Sequence, residues 1–283
     1  MSAIVIDGKE IAKQIRIATK KRALKLIERG IQPTLAVILV GEDPASEIYV
    51  RNKENACGRC EIRFQMIKMP EDTTQDQLHA EIERLNTDPA VHGILIQSPL
   101  PKQLDERAAL RLVDVKKDVD GFHVLNAGAL MLGEPGLVAG TPEGCIELLK
   151  VSGVPLDGAN AVVIGRSNIV GKPMAMLLLR ENCTVTICHS HTKDIADFIR
   201  RADIVIAAMR QPNFVKARMI KPGAAVIDVG THRLSDGTVC GDVDFDEVSQ
   251  VAGWITPSPG GVGPMTVAVL MRHTVDAAEA YAG

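Results

Sequence analysis

The chain has 283 residues, of which 46% are hydrophobic and 24% are charged, and its formal net charge is −3. This composition is typical of a globular protein with one large or two medium domains. Lysine and arginine are scattered among acids, which argues against nucleic acid as a partner. The N-terminus has acids where a signal peptide needs an apolar core, and no apolar run approaches the ~20 residues that span a bilayer. We therefore expect a cytoplasmic protein without a membrane partner.

The six cysteines are too few and too dispersed for a disulfide framework, so we expect reduced thiols. Cys57 and Cys60 have the spacing of a redox or metal motif, but no second pair follows them and they lie at the end of a predicted helix. Cys188, His189 and His191 alternate along the end of a predicted strand and would point to opposite sides. No metal site is expected.

Strands and helices alternate through the first half of the chain. Apolar positions at helical spacing predict an amphipathic helix over residues 4–29. The segments predicted after it are strands at 34–40, 62–69 and 93–97 and helices at 44–60, 74–86 and 104–113. This alternation indicates a parallel sheet with helices on its faces. A glycine-rich, irregular stretch is expected over 120–136.

The second half is organised around residues 161–173, which predict a buried strand, a tight turn and a helix start. Gly165 permits the sharp turn, and Gly171 allows close packing of helix on strand or of backbone on a ligand. Ser167 occupies the place of the second glycine in the usual dinucleotide-binding pattern. Further predicted elements are helices at 141–150, 172–180 and 265–280 and strands at 183–188, 202–209, 224–230 and 254–256. We interpret the turn as a phosphate-binding turn within a βαβ unit.

The residues after the second strand of this unit favour NADP over NAD. An NAD enzyme usually has Asp or Glu there to bind the ribose hydroxyls. This chain has histidine and hydroxyl residues at 189–192, and the first carboxylate is Asp194. The hydroxyl of Ser190 and the guanidinium of Arg166 suit a ribose 2′-phosphate, which a carboxylate would repel. The alternative is that Arg166 is a solvated turn residue and Ser190 is a helix N-cap.

Several polar residues lie at the ends of strands or on the helices after them, where open α/β sheets bind ligands. Tyr49 and Lys53 share one face of a predicted helix, and Ser46 lies one turn earlier. A lysine with a lowered pKa can relay a proton at a carbonyl or imine carbon, and a tyrosine ring can stack on a flat substrate. Gln97 is placed to hold Lys53, and Asp120 is a candidate acceptor for an amino-heterocycle. The alternatives are a packed ring beside a solvated amine and, at Asp120, ordinary Asp-Gly turn chemistry.

The stretch 257–266 is rich in glycine and proline. We expect it to form neither strand nor helix and to let the backbone pass very close to a ligand.

Five motifs occur in the order seen in bifunctional methylenetetrahydrofolate dehydrogenase/methenyltetrahydrofolate cyclohydrolases, which the chain resembles over nearly its whole length. They are Tyr49-Val-Arg-Asn-Lys53, Gln97-Ser-Pro-Leu-Pro101, Asp118-Val-Asp-Gly-Phe122, Gly165-Arg-Ser-Asn-Ile-Val-Gly171 and Pro259-Gly-Gly-Val-Gly-Pro-Met-Thr266. The resemblance implies a homodimer of two-domain α/β subunits. Residues 1–139, with a C-terminal helix at 265–283, would form an α/β folate-binding catalytic domain. Residues 140–264 would form a Rossmann-like, doubly wound parallel-sheet NADP domain, with the active-site cleft between the two.

The same resemblance implies roles for individual residues. Lys53 would be the catalytic base or relay, Tyr49 would pack on the folate, Gln97 would tune Lys53, and Asp120 would bind the pterin. The implied substrate-binding residues are Ser46, Tyr49, Lys53, Ile96, Gln97, Ser98, Asp120, Pro259, Gly260, Gly261, Val262 and Gly263. The implied NADP-binding residues are Gly165, Arg166, Ser167, Ser190 and Thr231. Position 231 is often Ile in relatives, so Thr231 and the following His232 depart from the pattern.

The implied reactions belong to one-carbon metabolism, including the supply for purine biosynthesis. A hydride leaves 5,10-methylenetetrahydrofolate for NADP, and water then opens the 5,10-methenyl product to 10-formyltetrahydrofolate. Positioning carries most of the first step, and Lys53 matters more in the second. An NADP-linked oxidoreductase of shikimate or amino-acid type is a rival interpretation. It expects a Lys–Asp pair near the hydroxyl that is oxidised, but it gives no reason for Tyr49-x-x-x-Lys53 followed by Gln97. A non-catalytic NADP-sensing protein would have no use for either Lys53 or Gln97.

Overall fold

A computed structural model describes residues 2–282, and the chain divides into two compact units. We name each unit for its main sheet. The six-stranded unit comprises the residues up to Ala12, Leu130–Glu134 and Ala139–Thr266. The three-stranded unit comprises Lys13–Ala129, Pro135–Val138 and the residues from Val267 onward. Within residues 2–282, no helix is both long enough and apolar enough to cross a membrane.

The chain begins with a short strand, β1 (Ile4–Val5), followed by helix α1 (Gly8–Glu28). The prediction of a helix from residue 4 was therefore wrong at its start. β1 pairs in parallel with Trp254–Ile255, a partner about 250 residues away. The side chain of Asp7 then accepts hydrogen bonds from the backbone amides of Lys9 and Glu10, at 2.9 and 3.1 Å. Such a cap satisfies the first amides of a helix and so places its start after residue 7.

The three-stranded unit contains the predicted alternation of strands and helices. Its next elements are β2 (Thr34–Val40), α2 (Pro44–Arg59), β3 (Arg63–Met69), α3 (Gln75–Thr87), β4 (Gly93–Ile96), α4 (Glu106–Leu112) and most of α5 (Val124–Leu132), which continues past Ala129 into the segment assigned to the other unit. The sheet order is β3-β2-β4 and both pairings are parallel. Every residue of the central strand β2 is buried, as expected for a strand covered on both faces. The predicted parallel sheet of this half is thus confirmed.

Helix α5 lies inside the stretch that we expected to be irregular, so that prediction was wrong for Val124–Leu132. The helix follows a turn organised by Asp118, whose carboxylate accepts hydrogen bonds from the amides of Phe122 and His123 at 3.2 and 2.8 Å. The Nδ2 of Asn126, in the first turn of α5, donates to the same carboxylate at 2.8 Å. The buried carboxylate of Asp118 therefore stabilises the start of α5. The glycines on either side of the helix had led to the prediction of an irregular segment.

The six-stranded unit contains the predicted βαβ unit. Its elements from the second half are α6 (Gly140–Val151), β5 (Asn160–Ile164), α7 (Gly171–Arg180), β6 (Thr184–Cys188), α8 (Ile195–Ile199), β7 (Ile204–Ala207), β8 (Ala225–Asp228), β9 (His232–Arg233), β10 (Val239–Cys240), α9 (Phe245–Val248) and β11 (Trp254–Ile255). The strand order is β1-β11-β8-β7-β5-β6, and all pairings are parallel. From β5 the chain runs first to β6 on one side and then to β7 on the other. This reversal confirms the doubly wound parallel sheet, and ligands bind at such a point.

The last helix is α10 (Val262–Ala282), which starts inside the glycine-rich stretch. The expectation that 257–266 would contain no helix was correct for the turn at 257–261 and wrong from Val262 onward. Pro264 is compatible with this start because proline is tolerated in the first turn of a helix, where its missing amide costs no hydrogen bond. Before the helix, a side chain at Gly261 would lie 2.6 Å from the carbonyl oxygen of Pro257, so the turn requires glycine there.

Candidate functional site

The first group of candidate site residues lies in the three-stranded unit and centres on Lys53. The Nζ of Lys53, on α2, donates a hydrogen bond to Oε1 of Gln97 at 2.7 Å. Gln97 directly follows β4 and is 7% exposed. Its Nε2 donates to the carbonyl oxygen of Ser98 at 2.7 Å, which fixes the amide with its oxygen toward the lysine. The local fold therefore presents a partly buried amine to a neutral acceptor.

Burial lowers the pKa of Lys53 from its ordinary value, and the nearby Asp120 carboxylate opposes part of that shift. Burial has the opposite effect on the acid: it raises the pKa of Asp120 to about 6, even though the positive charge of Lys53 opposes the rise. Asp118 adds a smaller upward effect on Asp120, and His273 a smaller downward one. The pKa of the amine and the pKa of the carboxyl group are thus both shifted toward neutral pH, where side chains transfer protons most effectively.

The two acids of the Asp118-Val-Asp120 motif have different roles in the structure. Asp118 is 3% exposed, and its oxygens accept the hydrogen bonds that organise the start of α5. Asp120 is partly buried and interacts electrostatically with Lys53. The geometry makes Asp118 the structural member and leaves Asp120 as the candidate ligand-binding carboxylate.

The other predicted substrate residues of this unit lie around the same strand and helix ends. Tyr49 is on α2, one turn before Lys53, and is 61% exposed, so its ring is accessible for stacking. Ser46 is 2% exposed, and its backbone amide donates to the N-cap residue Asp43 at 2.8 Å. Ile96 is buried at the end of β4. The hydroxyl of Ser98 donates to Oε1 of Glu106 at 2.8 Å, so it is already engaged within the protein.

His273 is a member of this group that the sequence analysis missed. It lies on α10, is 3% exposed, and its Nδ1 is 2.9 Å from the carbonyl oxygen of Val119. It also influences the pKa of Asp120. No local pattern indicated it, because it comes from a helix more than 150 residues away in the chain.

The second group surrounds a cavity of about 970 Å³ in the six-stranded unit. Its floor is the turn between β5 and α7, where Gly165 has a φ of 137°. A side chain at Gly171 would collide with the carbonyl group of Gly165, so both glycines are required for the turn to close. The hydroxyl of Ser167 accepts hydrogen bonds from the amides of Val170 and Gly171 at 3.1 and 3.4 Å. These bonds close the turn at the N-terminus of α7, and a helix N-terminus favours a phosphate.

All five residues predicted to bind the cofactor line this cavity. They are Gly165, Arg166, Ser167, Ser190 and Thr231. The side chains of Arg166 and Ser190 are exposed. The alternative of Ser190 as a helix N-cap was wrong, because α8 begins at Ile195 after Asp194. A cavity of this size, with a glycine turn and a guanidinium, fits a dinucleotide that carries an extra phosphate.

The glycine-rich loop contributes to this cavity only in part. Val262 and Gly263, at the start of α10, line it, together with Thr266. Pro259, Gly260 and Gly261 form the turn just before the helix. Gly260 has a φ of 111°, and a side chain there would lie 3.3 Å from Cε of Lys9.

Other residues of the cavity were not predicted to bind the cofactor. Among them are the turn that follows β7 at 208–211 and His232, at the start of β9. Asp242 also lines the cavity and is fully buried. Asp242 lies in a coil segment, where no periodic sequence pattern indicates that an acid is buried. Its hydrogen bonds in the structure show that it belongs to the cavity wall.

The thiols of the Cys57–Cys60 pair are shielded from solvent. Cys57 and Cys60 are fully buried, and burial raises the pKa of Cys57 to about 12 and that of Cys60 to about 11. Across residues 2–282, there is no cluster of three or more His, Cys, Asp or Glu side chains that could hold a metal ion.

Comparison with known proteins identifies the family. Residues 6–120 match the model of the tetrahydrofolate dehydrogenase/cyclohydrolase catalytic domain, and residues 139–282 match that of the tetrahydrofolate dehydrogenase/cyclohydrolase NAD(P)-binding domain. The bifunctional protein FolD of Cupriavidus pinatubonensis is 55% identical over 283 residues, which is 100% of both chains.

Solved structures agree with this result. The bifunctional enzyme FolD of Campylobacter jejuni is 45% identical with a TM-score of 0.97, and the match covers 99% of each chain. The Trypanosoma brucei methylenetetrahydrofolate dehydrogenase-cyclohydrolase, solved with NADP and an inhibitor, is 40% identical with a TM-score of 0.94, over 99% of this chain and 98% of that one. With both halves matched in order, the chain belongs to the tetrahydrofolate dehydrogenase/cyclohydrolase family.

Proposed function

We propose that this chain is a bifunctional enzyme that oxidises 5,10-methylenetetrahydrofolate with NADP and hydrolyses the resulting 5,10-methenyltetrahydrofolate to 10-formyltetrahydrofolate. Family membership supports the reaction pair. The observation that carries the assignment is the hydrogen bond from Lys53 to Gln97 beside Asp120. This arrangement supplies a poised amine, which a protein that only binds NADP would not need.

For the first reaction, the cavity of the six-stranded unit would hold the cofactor. NADP accepts the hydride when it is bound. The turn at the N-terminus of α7 would bind its diphosphate, and Arg166 with Ser190 would bind the 2′-phosphate. Thr231 would lie beside the cofactor. The contribution of the protein to this step is orientation, since the two nitrogens next to the reacting carbon stabilise the cation that forms.

For the second reaction, Lys53 would act as the base or proton relay. The oxygen of water bonds to the methenyl carbon, and one proton of that water passes to the neutral amine of Lys53. The new hydroxyl group then loses its proton as the carbon–oxygen double bond of the formyl group forms, the bond from this carbon to N5 breaks, and N5 takes up a proton. The proton held by Lys53 passes to solvent, so the net products are 10-formyltetrahydrofolate and one proton. Gln97 accepts a hydrogen bond from the amine without adding a negative charge, so the lowered pKa of Lys53 is retained.

Folate binding would use the remaining predicted residues. The carboxylate of Asp120 would accept hydrogen bonds from the amino and ring N–H groups of the pterin. The exposed ring of Tyr49 would stack on the flat heterocycle. Ser46, Ile96, Ser98 and the loop 259–263 complete the proposed substrate contacts.

We further propose the division of labour expected from the sequence. Residues 1–139 with the helix at 265–283 would carry the folate chemistry, and residues 140–264 would carry NADP. The enzyme is proposed to be a cytoplasmic homodimer. Light scattering on the purified protein measures its mass, and a monomer in solution would reject the dimer. Cell fractionation tests the compartment.

The proposed activity is tested by incubating the purified protein with methylenetetrahydrofolate and either NADP or NAD. We expect NADPH to form, with methenyltetrahydrofolate as product, and 10-formyltetrahydrofolate to accumulate later. A protein that binds NADP but leaves the folate unchanged would be a sensor. A protein that reduces NADP only with shikimate or an amino acid would belong to the rival class of oxidoreductases. Either result would reject the proposed function.

A further inference from the structure

Asp242 is a fully buried carboxylate in the wall of the cofactor cavity, and it accepts four hydrogen bonds. Its Oδ2 accepts from the backbone amides of Met209 and Arg210, at 2.8 and 3.2 Å. Its Oδ1 accepts from the amide of Gln211 at 2.8 Å and is 2.7 Å from Nε2 of His232. One side chain thus holds three successive backbone amides and an imidazole.

The backbone around Asp242 is itself tightly fixed. The amide of Asp242 donates to Oδ1 of Asp228 at 2.9 Å. A side chain at Gly230 would lie 2.6 Å from the backbone nitrogen of Asp242, so only glycine fits at position 230. The hydroxyl of Ser258 donates to the carbonyl oxygen of Gly230 at 2.8 Å. This packing leaves the carboxylate of Asp242 little freedom to move away from its partners.

The bond to Asp242 determines the chemistry that His232 offers. A carboxylate accepts, so Nε2 of the imidazole carries the proton in this bond. In the neutral ring, Nδ1 is then a hydrogen-bond acceptor. The side chain of His232 is 17% exposed and lines the cavity. A neutral His232 held by Asp242 thus has an acceptor nitrogen on a side chain that lines the cavity.

The sheet topology indicates which end of the cofactor meets this acceptor. A dinucleotide lies across the point where the strand order reverses, with one mononucleotide on each side. The predicted 2′-phosphate residues Arg166 and Ser190 follow β5 and β6, which places the adenosine half on that side. His232 and the turn held by Asp242 follow β8 and β7 on the opposite side.

We infer that His232 is a binding residue for the nicotinamide mononucleotide half of NADP and that Asp242 is the residue that positions it. Nδ1 of His232 accepts a hydrogen bond from a donor on that half, either a ribose hydroxyl or the carboxamide N–H. The three amides bound by Asp242 hold the adjoining turn in the shape that this half requires. The inference rests on the proposed use of NADP.

The test compares two ligands that share one half. NADP contains both mononucleotides, whereas adenosine 2′,5′-bisphosphate has only the adenosine half with the 2′-phosphate. We expect His232→Ala to weaken NADP binding roughly three- to tenfold, as for the loss of one hydrogen bond, and to leave adenosine 2′,5′-bisphosphate binding within about twofold of the wild type. Calorimetric titration of the full-length protein measures both affinities.

Arg233→Ala is the matched control, because Arg233 is the exposed neighbour of His232 on β9 and does not line the cavity. It should leave the ratio of the two affinities unchanged. If His232→Ala weakens both ligands equally, or neither, the inference is wrong. A damaged fold would weaken both, so a structural role is distinguished from the proposed one.

Asp242→Asn probes the positioning role. Asparagine keeps one oxygen but replaces the other with an NH₂ group. That NH₂ group would face a backbone amide or the imidazole N–H, which are themselves donors. We expect the same selective loss of NADP affinity as for His232→Ala; an equal loss for both ligands would contradict the positioning role. If this variant does not fold, His232→Ala alone decides. Wild-type protein that fails to reduce NADP with methylenetetrahydrofolate would reject the proposed function, whereas normal wild-type activity with an unaffected His232→Ala would reject only this inference.

Discussion

The amine of Lys53 and the amide oxygen of Gln97 form a hydrogen bond of 2.7 Å between the helix after the first long strand and the end of the third strand of its sheet. A neutral partner accepts a hydrogen bond from the amine without adding a negative charge beside it. Burial then keeps the pKa of Lys53 low, which the proposed hydrolysis requires.

Lys53→Met should abolish the cyclohydrolase activity. Methionine fills similar space but cannot take a proton from water, and a positioned base contributes about 10²- to 10⁴-fold to a rate. The measurement is the hydrolysis rate of methenyltetrahydrofolate by the purified variant. Lys68→Met is the control, because Lys68 is an exposed lysine paired with Glu47 on the same unit. Full hydrolysis by Lys53→Met would reject the role of this amine.

Gln97→Glu should move the pH dependence of hydrolysis to higher pH. The new carboxylate would replace the neutral oxygen beside the amine and favour its charged form, which raises the pKa of Lys53. The neutral base then appears only at higher pH, so activity near pH 7 falls. Rate profiles over pH for wild type and variant measure the shift. Gln103→Glu, at an exposed amide, should leave the profile in place, and an unshifted Gln97→Glu profile would contradict the prediction.

We expect folate binding to weaken at acid pH because Asp120 becomes protonated. Its pKa is raised to about 6, so the carboxylate is present above that pH and becomes protonated below it. Since the ionised form accepts the hydrogen bonds of the pterin, KM for the folate should rise as pH falls through about 6. Asp120→Asn should raise KM roughly tenfold or more at neutral pH and remove this pH dependence.

The exposed acid Asp72 supplies the control for this experiment, and Asp72→Asn should behave as the wild type. Steady-state kinetics between pH 5 and pH 8, a range of about three units around the relevant pKa, measures the effect. A wild-type KM that is constant through this range would show that Asp120 does not bind the pterin as a carboxylate.

Arg166→Ala should impair the use of NADP far more than the use of NAD. The guanidinium is proposed to bind the 2′-phosphate, which NAD lacks, and charge-assisted hydrogen bonds are the stronger ones. We expect KM for NADP to rise roughly tenfold or more, with little change for NAD. Arg180→Ala, at the exposed end of α7, is the control. Equal effects on the two cofactors would count against the assignment.

Gly171→Ala should both destabilise the protein and weaken NADP binding. The added methyl group would collide with the carbonyl group of Gly165 and lie 2.8 Å from Cα of Arg166. Overpacking of this kind costs about 1–3 kcal/mol. Thermal unfolding and NADP titration measure the two effects. Gly128→Ala, where a side chain has nothing within 4 Å, should be neutral or slightly stabilising. An unchanged Tm and affinity for Gly171→Ala would show that the turn can open.

Local signals were sufficient to predict much of the fold. The apolar run before Gly165 and the β-branched run at 184–188 identified β5 and β6 with the helix between them. Such runs depend only on neighbouring residues. β1 was missed because Ile4 and Val5 become a strand only by pairing with Trp254 and Ile255, a contact that spacing within one segment does not reveal.

Some residues of the candidate site could likewise be predicted from local motifs, and others could not. Lys53, Gln97 and the Gly165 turn lie in motifs that can be recognised in the sequence, and the structure places the first two in direct contact. Asp242 and His232 could not be predicted, because the acid lies between β10 and α9 without a pattern around it. Its importance follows from amides more than 30 residues earlier in the chain.

The hairpin formed by β9 and β10 is held at its base by the buried carboxylate of Asp228, which accepts hydrogen bonds from the amide of Gly230 just before the hairpin and from the amide of Asp242 just after it. Its tip, residues 235–238, is exposed. Changes of length at such a tip leave the packed interior undisturbed. A peptide tag or fluorescent label inserted after Asp236 would therefore lie outside the packed interior of the six-stranded unit.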